Sequence, residues 1–173
     1  MTSFFLTVFL AVIGQRLAEL RLARKNRRLL VALGGYEAGR EHYKYIIGLH
    51  VLFLGSLLLE AVLHNRPLAN WQEWLFVFFL VLQVGRYWCI KSLGMFWNTR
   101  IVILPGASPV RTGPYRFVRH PNYWIVGLEL LLLPLVFSAY VTAFCFPLAH
   151  LLVLLRYRLP LEEKLVHGSS PQQ

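Results

Sequence analysis

Apolar and polar positions alternate on a long scale in this chain, in blocks rather than in the short periods of a soluble domain. Five apolar stretches stand out: Ser3 to about Leu20, Tyr45 to Leu63, Trp74 to Ile90, Tyr123 to about Phe137, and Tyr140 to about Leu155. Crossing roughly 30 Å of hydrocarbon takes about 20 helical residues, with a lower limit near 17. The second and third stretches meet that length. The fourth and fifth are short and lie either side of Ser138, which predicts a tight helical hairpin. The first is apolar to Ile13 and then amphipathic through Gln15, Arg16 and Glu19. Arg21 to Leu30 reads as its helical continuation, with cations at headgroup level, before Gly34-Gly35 breaks it. The pattern predicts an all-α membrane protein of about five transmembrane helices, a single domain over 1–173, with no internal repeat and no low-complexity segment.

Composition fits this reading. The chain is 57% hydrophobic, with a mean hydropathy of +0.52. It carries a formal charge of +10, and all its acids are glutamates. Such a charge can mark nucleic-acid binding, but here the cations alternate with apolar runs and form no single face, so no nucleic-acid partner is expected. Every Lys and Arg except Arg66 falls on one side of a five-pass arrangement. Cations concentrate on the cytoplasmic side. The N-terminus is then outside, and the middle loop and C-terminal segment share the cytoplasmic face. Trp71, Trp74, Trp88 and Trp97 lie near segment ends, where amphipathic rings favour the interface. No cation precedes the first apolar run and no small-residue cleavage site follows it, so it does not read as a secretory leader. The terminal SSPQQ reads as a frayed tail, without a prenylation box. Cys89 and Cys145 lack metal-ligand spacing and read as buried thiols.

Chemistry concentrates between Ser92 and Pro121, SLGMFWNTRIVILPGASPVRTGPYRFVRHP. This loop holds Arg100, Arg111, Arg116, Arg119 and His120, with a turn at Gly113-Pro114 and His120-Pro121 at the mouth of the fourth stretch. A basic, aromatic-rich loop held between membrane helices suits a charged, nucleotide-like ligand. Pro121 is favourable at a helix start, where its missing N–H costs nothing. His120, preceding a proline, is biased to extended backbone. Arg158 and Glu162 stand four apart and share a helix face, with Pro160 between them forcing a bend or a fresh start. Taken singly, each feature has a plainer account: Arg116 and Arg119 as juxtamembrane anchors, His120 as an interfacial histidine, Glu162 and Glu163 as a solvated face. Glu60, Glu129, Arg16 and Glu19 fall inside apolar runs. Such charges are costly there and usually face an interior.

Gly113-Pro114-Tyr115-Arg116-Phe117-Val118-Arg119-His120-Pro121-Asn122-Tyr123 resembles the GPYRxxRHPxY motif of the isoprenylcysteine carboxyl methyltransferase family. A second element, an Arg followed by paired glutamates after the last membrane helix, reads here Arg156-Tyr157-Arg158-Leu159-Pro160-Leu161-Glu162-Glu163. Trp97-Asn98-Thr99-Arg100 and Gln15-Arg16-Leu17-Ala18-Glu19-Leu20 resemble a bacterial branch, similar to enzymes that O-methylate alkylpyrones and alkylresorcinols made by type III polyketide synthases. The resemblance implies an integral membrane enzyme with a cofactor and catalytic core over 92–165. It would transfer a methyl group from S-adenosylmethionine to an oxygen of a lipophilic acceptor drawn from the bilayer. Gly113, Tyr115, Arg116, Arg119, His120, Pro121, Tyr123, Glu162 and Glu163 would then hold the donor, and Arg158, Glu162 and His120 would serve catalysis. Arg119 or Arg116 suits the donor carboxylate, Glu162 or Glu163 its ammonium or ribose, and Tyr115, Tyr123 or Trp97 its adenine or sulfonium. Arg158 or Arg156 would position the acceptor oxygen. No metal is implied. His120-Pro121-Asn122-Tyr123 also fits an NADPH-dependent sterol-type reductase, though this chain is far shorter than those enzymes. A non-enzymatic membrane scaffold is the third possibility. The acceptor and the oligomeric state are not legible.

Overall fold

A computed structural model describes residues 2–64 and 69–166. Helix α1 spans Thr2–Ala32, α2 Arg40–His64, α3 Asn70–Leu93, α4 Pro121–Val136, α5 Tyr140–Val153 and α6 Leu159–Val166. Two three-residue strands, β1 Tyr36–Ala38 and β2 Ile101–Ile103, pair antiparallel with Glu37 opposite Val102. The all-α expectation therefore holds with one small addition. The ladder ties the first connection to the start of the chemistry-bearing loop.

Four helical runs are long and apolar enough to cross a membrane, and α4 is a shorter apolar helix. The expected first stretch and its continuation are one helix of 31 residues. The fifth stretch does not stop near Leu155. A π-helical turn, Leu154–Arg158, carries α5 into α6, so the run Tyr140–Glu162 is 23 residues long. Pro160 lies inside this run, two residues beyond the π-helical turn, and removes one backbone donor without ending the helix. Leu52, Leu63, Val81, Val84, Phe144 and Leu152 are exposed on the outer faces, as lipid contact requires. Cys89 is buried as expected, but Cys145 is exposed on the outer face of α5.

The helices pack most tightly at the end away from the loop. There Phe5, Phe9, Phe53, Leu57, Phe79, Leu133, Val136 and Phe137 form one core. Polar side chains fix the chain reversals. Ser138, at φ +58°, turns α4 into α5. Gln72 accepts from the Ala69 N–H at 2.8 Å and donates to the Leu135 carbonyl and the Ser138 hydroxyl, so one amide caps α3 and holds the hairpin. Glu60 accepts from the Val141 and Thr142 N–H groups and the Thr142 hydroxyl, placing a carboxylate at the α5 N-terminus.

Midway along the bundle lies a buried charge cluster. Arg86 donates to both oxygens of Glu19, at 2.7 and 2.6 Å, and to Glu129 at 3.1 Å. Arg16 donates to Glu129 at 2.7 Å and to Glu19 at 3.0 Å. Gln83 donates to Glu129 at 2.9 Å. Two cations and two anions thus neutralise one another across α1, α3 and α4. Glu129 is ion-paired rather than simply hydrogen-bonded. Arg16 and Arg86 leave the set of headgroup cations, and the charge asymmetry rests on the others. Arg66 and the SSPQQ tail lie outside the described residues.

Candidate functional site

The loop between α3 and α4 is held from both sides. At its start, Asn26 of α1 donates to the carbonyls of Gly94 and Trp97, at 3.0 and 2.9 Å. Arg100 binds Glu37 at 2.5 Å and lies over the Tyr43 ring, while Arg27 reaches the other Glu37 oxygen at 3.4 Å. At its end, Gly113 at φ +55° presses on α3: a Cβ there would stand 2.1 Å from the Ser92 hydroxyl. Only glycine fits both the conformation and the approach. Pro114 then opens a 3-10 turn, Gly113–Arg116. That turn sets Tyr115 against Cys89; burial, then the adjacent thiol, push the phenol pKa up, so it stays protonated at neutral pH.

Between these supports the loop borders an open groove of about 1180 Å³. Tyr36, Phe96, Tyr115, Arg116, Arg119 and His120 line it, with Glu162 and Leu165 closing it from α6. The loop and the C-terminal segment, some forty residues apart in sequence, therefore face the same space. Arg116 and Arg119 are exposed and make no ion pair among the described residues.

Tyr123, in the first turn of α4, joins the two elements. Its hydroxyl donates to Glu162 in a short hydrogen bond and accepts from Arg158 Nε at 3.0 Å. Arg158 also donates to the Thr99 carbonyl at 2.8 Å, and its Nε stands 3.8 Å from Glu162. The π-helical turn adds a residue to the helical repeat just before Arg158 and rotates the guanidinium inward; such turns recur at functional sites. Arg158 itself lines a small crevice of about 10 Å³ with Tyr43, Arg100 and Tyr157, and it meets the groove-lining Glu162 directly and through Tyr123. That crevice has room for about one water.

Several buried polar atoms around this region have no protein partner: His120 Nε2, Asn122 Oδ1, Trp97 Nε1 and Asn98 Nδ2. Buried polar groups are nearly always paired. Of these four residues His120 lines the groove, and an orphan there is what a site awaiting a polar ligand would show. His120 stacks on Tyr123, ring centroids 5.2 Å apart.

Of the residues expected at the site, Tyr115, Arg116, Arg119, His120 and Glu162 line the groove. Gly113, Pro121 and Tyr123 shape it from behind. Arg158 reaches it through Tyr123, whereas Arg156 is exposed. The Glu163 side chain lies outside the described residues. Trp97 is neither at an interface nor in the groove: it is buried, because Asn26 draws its backbone against α1. Thr99, Asn98 and Asn122 stand inside the quoted motifs, but the sequence reading gave them no role at the site. Only the fold brings their polar atoms inward.

Residues 74–167, which contain the groove, Arg158 and Glu162, match the family model described as the isoprenylcysteine carboxyl methyltransferase (ICMT) family. The chain belongs to that family. ICMT-family proteins are methyltransferases embedded in the membrane, and this chain is accordingly a multi-pass integral membrane protein. It is similar to YpbQ of Bacillus subtilis, itself uncharacterised, with 41% identity over 167 residues, 96% of this chain and 98% of that protein. An uncharacterised protein of Haemophilus influenzae is 25% identical over 128 residues, 70% of this chain and 74% of its own length. No solved structure gives a significant match. The ICMT match begins within α3, so α1 and α2 lie outside it, while the similarity to YpbQ extends across nearly the whole chain.

Proposed function

We propose that this ICMT-family protein is an S-adenosylmethionine-dependent O-methyltransferase acting on a lipophilic acceptor, with its donor groove facing the cytoplasm. The observation that carries the reading is the Glu162–Tyr123–Arg158 chain, which links the cationic groove to the helical bundle. The residues fit the donor. Arg116 and Arg119 offer unpaired cations to its carboxylate. Glu162 offers an anion to its ammonium or ribose. Tyr115 and Phe96 offer aromatic faces to adenine, and His120 Nε2, unpartnered among the described residues, supplies a further hydrogen-bonding position. The groove also exceeds the roughly 300–1,000 Å³ typical of small-molecule sites.

When bound, S-adenosylmethionine supplies an electrophilic methyl on a sulfonium, which is transferred to an acceptor oxygen. Everything else falls to the protein. Arg158, held by Thr99 and Tyr123, is a fixed cation beside the groove and orients an acceptor oxygen bearing negative charge. A carboxylate acceptor needs no base. A phenol or enol gives its proton to Glu162 or His120, both of which border the groove. Most of the rate then comes from positioning, which contributes several kcal/mol when reactants are well aligned. The groove opens to water and Arg158 faces the helices, so the donor arrives from the aqueous side and the acceptor from the bilayer.

The test is methyl transfer itself. Membranes containing the protein, given methyl-labelled S-adenosylmethionine and a long-chain phenol, should place label in the organic extract. Membranes carrying Arg158→Ala should not. Equal label in both, or none with any phenol, enol or carboxylate lipid, contradicts the reading.

A further inference from the structure

The helical bundle holds a second group of polar side chains that methyl transfer, as described above, does not use. His150 on α5 is 7% exposed, and its Nε2 has no partner. It packs against α4 at Gly127, where a Cβ would stand 4.0 Å from the imidazole Cδ2. Gly127 follows Tyr123 by four residues, so His150 lies about one helical turn, roughly 5–6 Å, deeper than Tyr123. His50 on α2 meets it edge-on, centroids 6.2 Å apart and rings at 88°. The His50 Nδ1 stands 2.8 Å from the Ile46 carbonyl. A carbonyl only accepts, so Nδ1 carries the proton and Nε2 presents a lone pair. Arg16, Arg86 and Glu129 act on His50 electrostatically, but these three and Glu19 satisfy one another, and His150 Nε2 stays without a partner among the described residues. The Gln83 carbonyl oxygen beside this cluster is also buried and unpartnered.

A structural role does not call for the unpartnered His150 Nε2. In the middle of a membrane bundle an unmet polar group has little water to turn to, and its cost is about 1–3 kcal/mol. His150 and Gln83 lie within the ICMT match and His50 on α2 lies outside it, so the pair joins the matched core to an element beyond it. On the methyl-transfer reading, an acceptor that enters from the bilayer would approach Tyr123 from the deeper side, where this pair lies.

We infer that His50 and His150 form a hydrogen-bonding subsite for the acceptor's head, one helical turn deeper than Tyr123, selecting lipids whose head carries a second oxygen besides the one methylated. The inference rests on the methyl-transfer reading for what the lipid is, but its geometry can be tested by binding alone.

The experiment compares a long-chain 5-alkylresorcinol with the 3-alkylphenol of the same chain length, which differ by one ring hydroxyl. Binding to the purified, detergent-solubilised protein is followed by tryptophan quenching, and KM is measured for each lipid. The wild type should bind the two-oxygen lipid roughly tenfold more tightly, the scale of one well-made buried hydrogen bond. His150→Phe and His50→Phe should erase that preference and leave binding of the one-oxygen lipid and of S-adenosylmethionine unchanged. His150→Asn, which keeps a hydrogen-bonding group, should restore part of it and serves if the Phe variants fold poorly. No preference in the wild type, or equal weakening of both lipids in every variant, overturns the subsite. A preserved lipid preference without methyl transfer to either lipid would instead refute the methyl-transfer reading and leave the subsite standing.

Discussion

Arg86→Met probes the energetics of the buried charge cluster. Arg86 makes three charge-assisted hydrogen bonds, at 2.6, 2.7 and 3.1 Å, to Glu19 and Glu129. Its side chain is only 7% exposed, so water cannot replace it. Methionine fills much of the volume but leaves Arg16 to neutralise two carboxylates. Removing one partner of a buried pair costs about 3–5 kcal/mol, because the remaining charge stays buried. At about 2–4 °C per kcal/mol for a chain of this size, Tm should fall by roughly 6–20 °C. The double variant Arg86→Met/Glu19→Gln removes one charge of each sign and leaves Arg16–Glu129 intact. It should recover most of the loss, since neutral replacement of a buried pair is often nearly neutral in stability. Thermal unfolding in detergent, followed by tryptophan fluorescence, gives the double-mutant cycle. If Arg86→Met melts within about 2 °C of wild type, or the two changes simply add, the reasoning from uncompensated charge is wrong.

Three further outcomes are expected. Glu162→Gln should weaken S-adenosylmethionine binding roughly tenfold, while Arg158→Ala should lower kcat with donor affinity retained; an exposed i,i+4 pair would give near-normal kinetics in both. Gly113→Ala should destabilise by about 1–3 kcal/mol, read as a lower Tm, because its Cβ meets the Ser92 hydroxyl and its φ is positive. Ser92→Ala should relieve only the steric part. A cysteine at Ala107, in a chain first stripped of Cys145, should react with an impermeant maleimide in inverted vesicles and not in intact cells; labelling in intact cells overturns the orientation. A cysteine at Asn65, a position outside the described residues, should show the opposite pattern.

The helices were legible because long apolar runs have few alternatives in a membrane protein. Their ends were less so. The continuation of α1 through Arg21–Leu30 was legible, but at the other end of the chain Pro160 suggests a break that the π-helical turn absorbs. The β1–β2 ladder is too short for alternation to announce it. Arg86 was misplaced for a physical reason: it stands near the end of its apolar run and reads as interfacial until the register of α1 against α3 brings Glu19 to it. The groove was legible because its residues cluster in two motifs. The link between them, Tyr123 to Glu162 and Arg158, depends on α4 and α6 meeting, and no local pattern states that. Asn98 and Asn122 look like ordinary loop and helix-start residues, and His150 like an isolated histidine, until packing leaves an amide or ring atom of each without a partner among the described residues.

Equilibrium binding of labelled S-adenosylmethionine to the purified protein, with NADPH as competitor, tests the central claim most directly. Saturable binding that NADPH does not displace, and that falls at least roughly tenfold in His120→Ala and Arg119→Ala while both variants stay folded, is the predicted result. Absence of saturable binding, displacement by NADPH, or full affinity in both variants would contradict it.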